Sequence, residues 1–184
     1  MRVTLKKFES LRRLFKKKSN WQAFDRKTVT IEDKEYTVRG IVESDIKDLL
    51  TIEREVYNGE LPWTRSAFLS EIHSKNPHLY ILILKEEKTV GFIGCRVIEH
   101  DGHITNVAVG KSAQGQGIGS YLLNEAIQFA SAQGCTQMSL EVKLINKHAQ
   151  SVYRKIGFTS SKITEGYYDD GEDALEMILD LSNG

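Results

Sequence analysis

Cysteine and proline are both scarce in this 184-residue sequence, with two of each. Two cysteines, Cys95 and Cys135, cannot build a disulfide framework or a four-cysteine zinc site, and both are read as small buried hydrophobes. So little proline, beside 40% hydrophobic residues, excludes a disordered or fibrous chain and fits a globular one. Nowhere do roughly eighteen apolar residues run together, so no membrane-spanning helix is expected. The N-terminus lacks the unbroken apolar core of a signal peptide, since Lys16-Lys17-Lys18 stands where one would be needed. A cytoplasmic location is the resulting expectation. His73, His78, His100, His103 and His148 fall in no metal-ligand spacing, so no metal is expected and they are read as structural or exposed.

What is present is charge, unevenly placed. The formal net charge is zero. Residues 1–28 carry ten Lys and Arg against Glu9 and Asp25, or +8; the other 156 residues carry fifteen against twenty-three acids, or −8. A basic arm on an acidic body bears on partners rather than on fold. The arm suits RNA, an anionic lipid surface or its own acidic body, and the body suits a basic substrate. Leu5, Phe8, Leu11, Leu14 and Phe15 recur at helical spacing, which predicts an amphipathic helix ending at Ser19 and Asn20. Residues 1–27 are read as a basic amphipathic extension and 28–184 as the folded domain.

Along the domain, Val29, Ile31, Tyr36 and Val38 alternate around an Asp33-Lys34 turn, which predicts a hairpin. A helix is expected from Ser44 as N-cap, with Ile46, Leu49, Leu50, Ile52 and Val56 as its apolar stripe. Pro62 breaks the chain and Thr64 caps a second helix carrying Phe68 and Ile72. Three strands are predicted over 79–84, 89–98 and 103–109, joined by turns at Glu86-Glu87-Lys88 and Asp101-Gly102. A long helix ending at Gly134, a strand over 138–144, a short helix over 147–156 stopped by Gly157, and two strands flanking Asp170-Gly171 complete the chain. With the hairpin counted once, the order is β α α β β β α β α β β, one mixed α/β domain with helices on both faces of a single sheet.

The segment between the third of these strands and the long helix reads Gln114, Gly115, Gln116, Gly117, Ile118, Gly119, Ser120. A glycine-rich turn into a helix N-terminus offers free backbone N–H groups, and the helix dipole adds roughly half a positive charge. Alone it is either an anion site or a tight turn for close strand–helix packing. A nucleotide P-loop would need a Lys after Gly119, and the dinucleotide fingerprint would need a third glycine or alanine where Ser120 stands.

The spacing of Gln114, Gly117 and Gly119, followed by Ser120-Tyr121-Leu122-Leu123, resembles the acetyl-CoA loop of the GNAT acetyltransferase superfamily. Leu140-Glu141-Val142, Asn146 and the run from Val152 through Tyr153 to Phe158 resemble the second half of that motif. Leu61-Pro62-Trp63-Thr64, Asn106-Val107-Ala108-Val109 and Tyr167-Tyr168 followed by Gly171-Glu172-Asp173-Ala174 are similar to protein N-terminal acetyltransferases. Gly59-Glu60-Leu61-Pro62-Trp63 is most similar to the bacterial ribosomal-protein alanine N-acetyltransferases. The likeness covers residues 36–181. It implies a mostly antiparallel central sheet with helices on both faces and an acetyl-CoA cleft between two parallel, splayed strands. It also implies backbone contact from Val107, Ala108 and Val109 with the acetyl and pantetheine groups. Gln114, Gly115, Gln116, Gly117, Ile118, Gly119 and Ser120 would meet the pyrophosphate, and Asn146 would contact the cofactor. Glu141 carries over as general base and Tyr153 as general acid, with Trp63, Tyr167 and Tyr168 lining the acceptor slot. Thr164-Glu165 departs from the basic residues often found before the paired tyrosines, which bears on acceptor preference.

The implied acceptor is a protein N-terminus, with the alanine of a small-subunit ribosomal protein as the leading case. Deprotonating an α-amine of pKa near 8 at pH 7 costs about 1.4 kcal/mol, against about 4.6 kcal/mol for lysine, so one carboxylate suits an α-amine better. A phenol near pKa 10 protonating a thiolate near 8.5 is uphill by about 2 kcal/mol, which favours hydrogen bonding over early proton transfer. Two other readings stand beside this one: a small-molecule acetyltransferase for polyamines, amino acids or antibiotics, and a binding module whose basic arm makes the main contact.

Overall fold

The computed structural model describes residues 24–59 and 61–182. The amphipathic helix predicted from Leu5 to its end at Ser19 and Asn20 lies outside them. Eight strands form one sheet: β1 (Lys27–Ile31), β2 (Lys34–Gly40), β3 (His78–Lys85), β4 (Lys88–Ile98), β5 (Asp101–Val109), β6 (Gln137–Lys143), β7 (Thr159–Thr164) and β8 (Ala174–Asp180). Their order is β1-β2-β3-β4-β5-β6-β8-β7, and every neighbouring pair is antiparallel except β5 with β6. Among the described residues four helices, α1 (Ile46–Val56), α2 (Arg65–Ile72), α3 (Ile118–Ala132) and α4 (Lys147–Ile156), cover the two faces.

Alternation along β3 shows how the faces are divided. Leu79, Ile81 and Ile83 enter the core under α3 with Ile118, Leu122 and Ala126, while Tyr80, Leu82 and Leu84 meet Ile46, Leu49, Ile52 and Phe68 of α1 and α2. A strand buried on both faces reads as a continuous apolar run, which is what residues 79–84 are. Burial of a side chain such as Leu49 or Phe68 contributes on the order of 2 kcal/mol.

Three boundaries fall elsewhere than the sequence predicts. The first hairpin turns on Glu32 and Asp33 (φ 46° and 61°), one residue earlier than expected, because a two-residue turn of this hand needs both central residues at positive φ. Helix α1 follows a 3-10 turn, Glu43–Asp45, and Ser44 caps nothing. Asp45 orders this entry instead: its Oδ2 accepts from the Val42 N–H at 2.8 Å and its carboxylate takes a paired contact from Arg39 at 2.7 and 2.8 Å. Asp101 and Gly102 lie inside β5, not in a turn, and the chain reverses at Glu99 and His100. A Cβ at Gly102 would stand 2.5 Å from the Ala130 Cβ, so this glycine serves close strand–helix packing rather than chain reversal. Thr64 does cap α2, accepting from the Ala67 N–H at 3.2 Å, and Gly157 closes α4 at φ 115°.

Candidate active site

Strand β5 has two unlike flanks. Toward β4 it is paired from Asp101 to Val109, but toward β6 pairing stops after His103↔Ser139. Beyond that rung the two parallel strands part, and β6 continues on β8 through Glu141↔Glu176. A bulge at Thr105, where the register passes from Cys95↔Ile104 to Gly94↔Asn106, exchanges the faces of β5. Before it, Gly102 and Ile104 face α3; after it, Asn106 and Ala108 face α1 and α2, while Val107 and Val109 pack under α3. The bulge depends on Gly94, where a Cβ would lie 2.3 Å from the Tyr80 ring and 2.7 Å from Thr105 Oγ1. Tyr80 and Thr105 share a hydroxyl hydrogen bond of 2.6 Å at the same point.

After β5 the chain makes a 3-10 turn (Lys111–Ala113) and the glycine loop, with Gly115 and Gly117 at φ 71° and 74°. Gly117 is the N-cap of α3 and no side chain caps it, which leaves the first-turn N–H groups available to an anion. Gly119 is more telling. It has no positive φ, and a Cβ there would meet nothing closer than Val109 Cγ2 at 3.9 Å. Neither backbone conformation nor protein packing requires glycine at 119, and its missing side chain leaves the backbone there open to close approach. The loop is held by its own glutamines. Gln114 Nε2 donates to the Val109 carbonyl at 2.9 Å, and Gln116 Nε2 to the Ser112 carbonyl at 3.0 Å. Gln116 Oε1 in turn accepts from Lys34 Nζ at 3.0 Å and Tyr36 Oη at 3.1 Å. Ser120 and Asn146 are exposed, and Asn146 Oδ1 caps α4 by accepting from the Ala149 N–H at 3.0 Å.

Glu141 lies mid-strand on β6, just past the last rung, with a quarter of its side chain exposed. Its Oε2 is 3.4 Å from His103 Nε2, a neighbour the sequence reading left as structural or exposed. Behind it, His103 Nδ1 is 2.9 Å from Ser139 Oγ, and Ser139 Oγ donates to Asp101 Oδ2 at 2.5 Å. Because the serine's one hydrogen goes to Asp101, the histidine donates from Nδ1, and Nε2 turns either a lone pair or a proton toward Glu141.

Tyrosines gather opposite. Tyr153 on α4 is half-buried beside Phe158, with ring centroids 6.0 Å apart, and burial, then the phenols of Tyr57 and Tyr168, raise its pKa well above the usual tyrosine value. Tyr167 and Tyr168 meet edge-on at 5.1 Å, and after burial the Glu141 charge helps to raise both. Lys143, beside Glu141 on β6, pairs with Asp170 and lies 5.4 Å over the Tyr168 ring, which ties the tyrosine loop to the strand. Trp63 packs on Phe68 at 5.1 Å in the core of α1 and α2. Cys95 and Cys135 are buried and raised by that burial, as inert thiols are. Besides His103, sequence reasoning passed over Tyr57 and Glu53, and named Asn106 in a motif without giving it a role. Glu53 left one signal: it stands on the Ile46, Leu49 face of α1, a charge where an apolar residue is due.

The sheet thus parts beside a helix N-terminus that no side chain caps, with a carboxylate and phenols at the parting. The acetyltransferase (GNAT) family matches residues 44–158; this chain belongs to that family and is an acetyltransferase. It is 34% identical over 147 residues to a putative ribosomal protein bS18-alanine N-acetyltransferase of Bacillus subtilis, covering 79% of this chain and 95% of that one. The crystal structure of the ribosomal-protein-S18-alanine N-acetyltransferase from Escherichia coli matches with a TM-score of 0.71 at 28% identity, over 80% of this chain and 94% of that one. The NatC complex bound to Gag peptide and CoA matches with a TM-score of 0.70 at 21% identity over 79% and 98%, a likeness of fold alone. Among the described residues no helix is long and apolar enough to cross a membrane.

Proposed function

We propose that this chain transfers an acetyl group from acetyl-CoA to the N-terminal α-amine of a protein, with the alanine of a small-subunit ribosomal protein as acceptor. The observation that carries the reading is Glu141, set at the parting of β5 and β6 beside His103 and facing the tyrosine loop. Acetyl-CoA supplies an acetyl group activated as a thioester. The loop from 114 to 119 and the N-terminus of α3 would hold its pyrophosphate. Backbone groups of residues 107–109, on the flank of β5 without a strand partner, would align the acetyl and pantetheine groups.

Glu141 takes the proton that the α-ammonium group must lose, and the Glu141–His103 pair keeps it out of the reacting space. The freed amine nitrogen bonds to the thioester carbonyl carbon, and the carbon–sulfur bond breaks. The amide nitrogen gives up its remaining extra proton, and the sulfur ends as a thiol. Tyr153 faces the departing sulfur. With its pKa raised by burial, the phenol stabilises developing thiolate charge by hydrogen bonding and keeps its own proton until late. Tyr167 and Tyr168, with Trp63 across from them, would line the slot for the first acceptor residues, as amphipathic rings suit a peptide.

Two features support a protein acceptor over a small amine: the paired tyrosines on their own loop, and the 34% identity to a relative named for bS18 alanine. A panel of Ala-, Ser- and Met-started peptides with blocked lysine-only controls tests it. Acetylation of Ala-started peptides with the controls silent is the expected result. Turnover confined to polyamines or free amino acids would overturn it.

A further inference from the structure

Glu53 has no place in the chemistry above, yet it is fully buried and forms no ion pair among the described residues. Its Oε1 accepts from Asn106 Nδ2 at 2.6 Å, a short bond to the first residue after the β5 bulge. The Trp63 backbone N–H is turned toward the same carboxyl, yet Oε2, also buried, completes no hydrogen bond. Two residues further along the same helix, Glu55 Oε1 accepts from the Lys111 N–H at 2.7 Å, at the 3-10 turn that leads into the glycine loop. A half-satisfied carboxyl costs stability that a leucine at this position would not. Retaining it has a use only if its geometry is needed.

We propose that Glu53 is a positioning residue for acetyl transfer: through Asn106 and the Trp63 N–H it clamps the bulged stretch of β5 and the acceptor-side loop against α1. This rests on the reading that residues 107–109 align the acetyl group. A charged acceptor holds Asn106 more tightly than a neutral one, so the clamp is firm when Glu53 is ionised and slack when it is protonated. The groups facing it are Asn106 from β5, the Trp63 N–H from the loop after α1, and Tyr57 one turn along its own helix. None is a cation. Burial pushes the carboxyl up to about 7, against the pull of Asn106 and the Trp63 N–H, which puts the change of state within the working pH range.

Glu53→Gln keeps the shape and removes the charge. The expected result is a kcat lowered about tenfold or more at pH 8, with the KM for acetyl-CoA within about threefold. Thermal unfolding at pH 8 should not fall below that of the wild type. The fall in wild-type kcat below about pH 7 should flatten in the variant. Asn106→Ala should lower kcat similarly, and the double variant should do little more, since both break one link. Wild-type kcat and pH profile in Glu53→Gln would overturn the proposal. So would a loss that merely follows a lowered melting temperature, or losses that multiply in the double variant. The acceptor is whichever amine the wild type acetylates in the peptide and small-amine panels. A wrong acceptor assignment therefore fails on the wild type and leaves this comparison intact.

Discussion

The two flanks of β5 are built for opposite purposes. The β4 flank holds eight registered residue pairs and a bulge locked by Gly94, Tyr80 and Asn106; the β6 flank holds three pairs and then opens. One flank fixes where the backbone of residues 107–109 stands, and the other leaves that backbone without a strand partner. A sheet paired fully on both flanks would have no cleft. One open on both would have no fixed edge to present to a substrate. The lesson is that rigidity on one side of a single strand is what makes the opening on the other side usable.

Three measurements would break or sharpen this contrast. Glu141→Gln acts on the open flank only: acetyl transfer should fall by roughly 10²–10⁴, with unfolding unchanged within about 0.5 kcal/mol. A matched loss of stability would show that the carboxylate belongs to the scaffold instead. The paired flank carries the opposite signature in its pH dependence. Glu53 is protonated more readily in the folded chain, at about 7, than in the unfolded one, near 4.3. Its contribution to stability is therefore complete below the unfolded value and is lost as pH rises through 7, about 4 kcal/mol in all. Denaturant titrations from pH 4 to 8 should show that decline in the wild type and not in Glu53→Gln. Smallest in effect, Gly94→Ala drives a methyl into the Tyr80 ring and the Thr105 hydroxyl. It should cost about 1–3 kcal/mol and depress activity by shifting the bulge. An unaltered Tm would mean that the bulge is soft and that its position is set elsewhere.

The sequence made local pattern legible and left long-range pairing hidden. Residues 79–84 read as a strand because both faces are buried, whereas Gly117 and Gly119 alone left an anion site and a tight turn both open, and only the family resemblance chose between them. Gly102 looked like a turn residue because its real constraint, Ala130 of α3, is twenty-eight positions away and absent from any local window. The parting of β5 and β6 rests on where a parallel pairing ends, and no periodicity in either strand records that. His103 looked idle for the same reason: it meets Glu141 only across that pairing. Glu53 was visible as a charge on an apolar face, but its partner Asn106 was not. The catalytic and cofactor assignments came from resemblance; the structure adds the neighbours through which they can be tested.

One contact bears on how the chain comes to be folded. Gln116 is gripped by Lys34 and Tyr36, eighty or more positions upstream, and Gly117 sits where a Cβ would come within 3.0 Å of Ile31. The β1–β2 hairpin precedes the family-matched region, which begins at residue 44. Closing so long a loop is slow relative to forming a hairpin or a helix turn. The hairpin precedes the loop in the chain, so during synthesis it emerges first, and the contacts of Gln116 with Lys34 and Tyr36 can form only after the loop has followed. A chain shortened to the family boundaries would still write the whole loop, but without the hand that sets it.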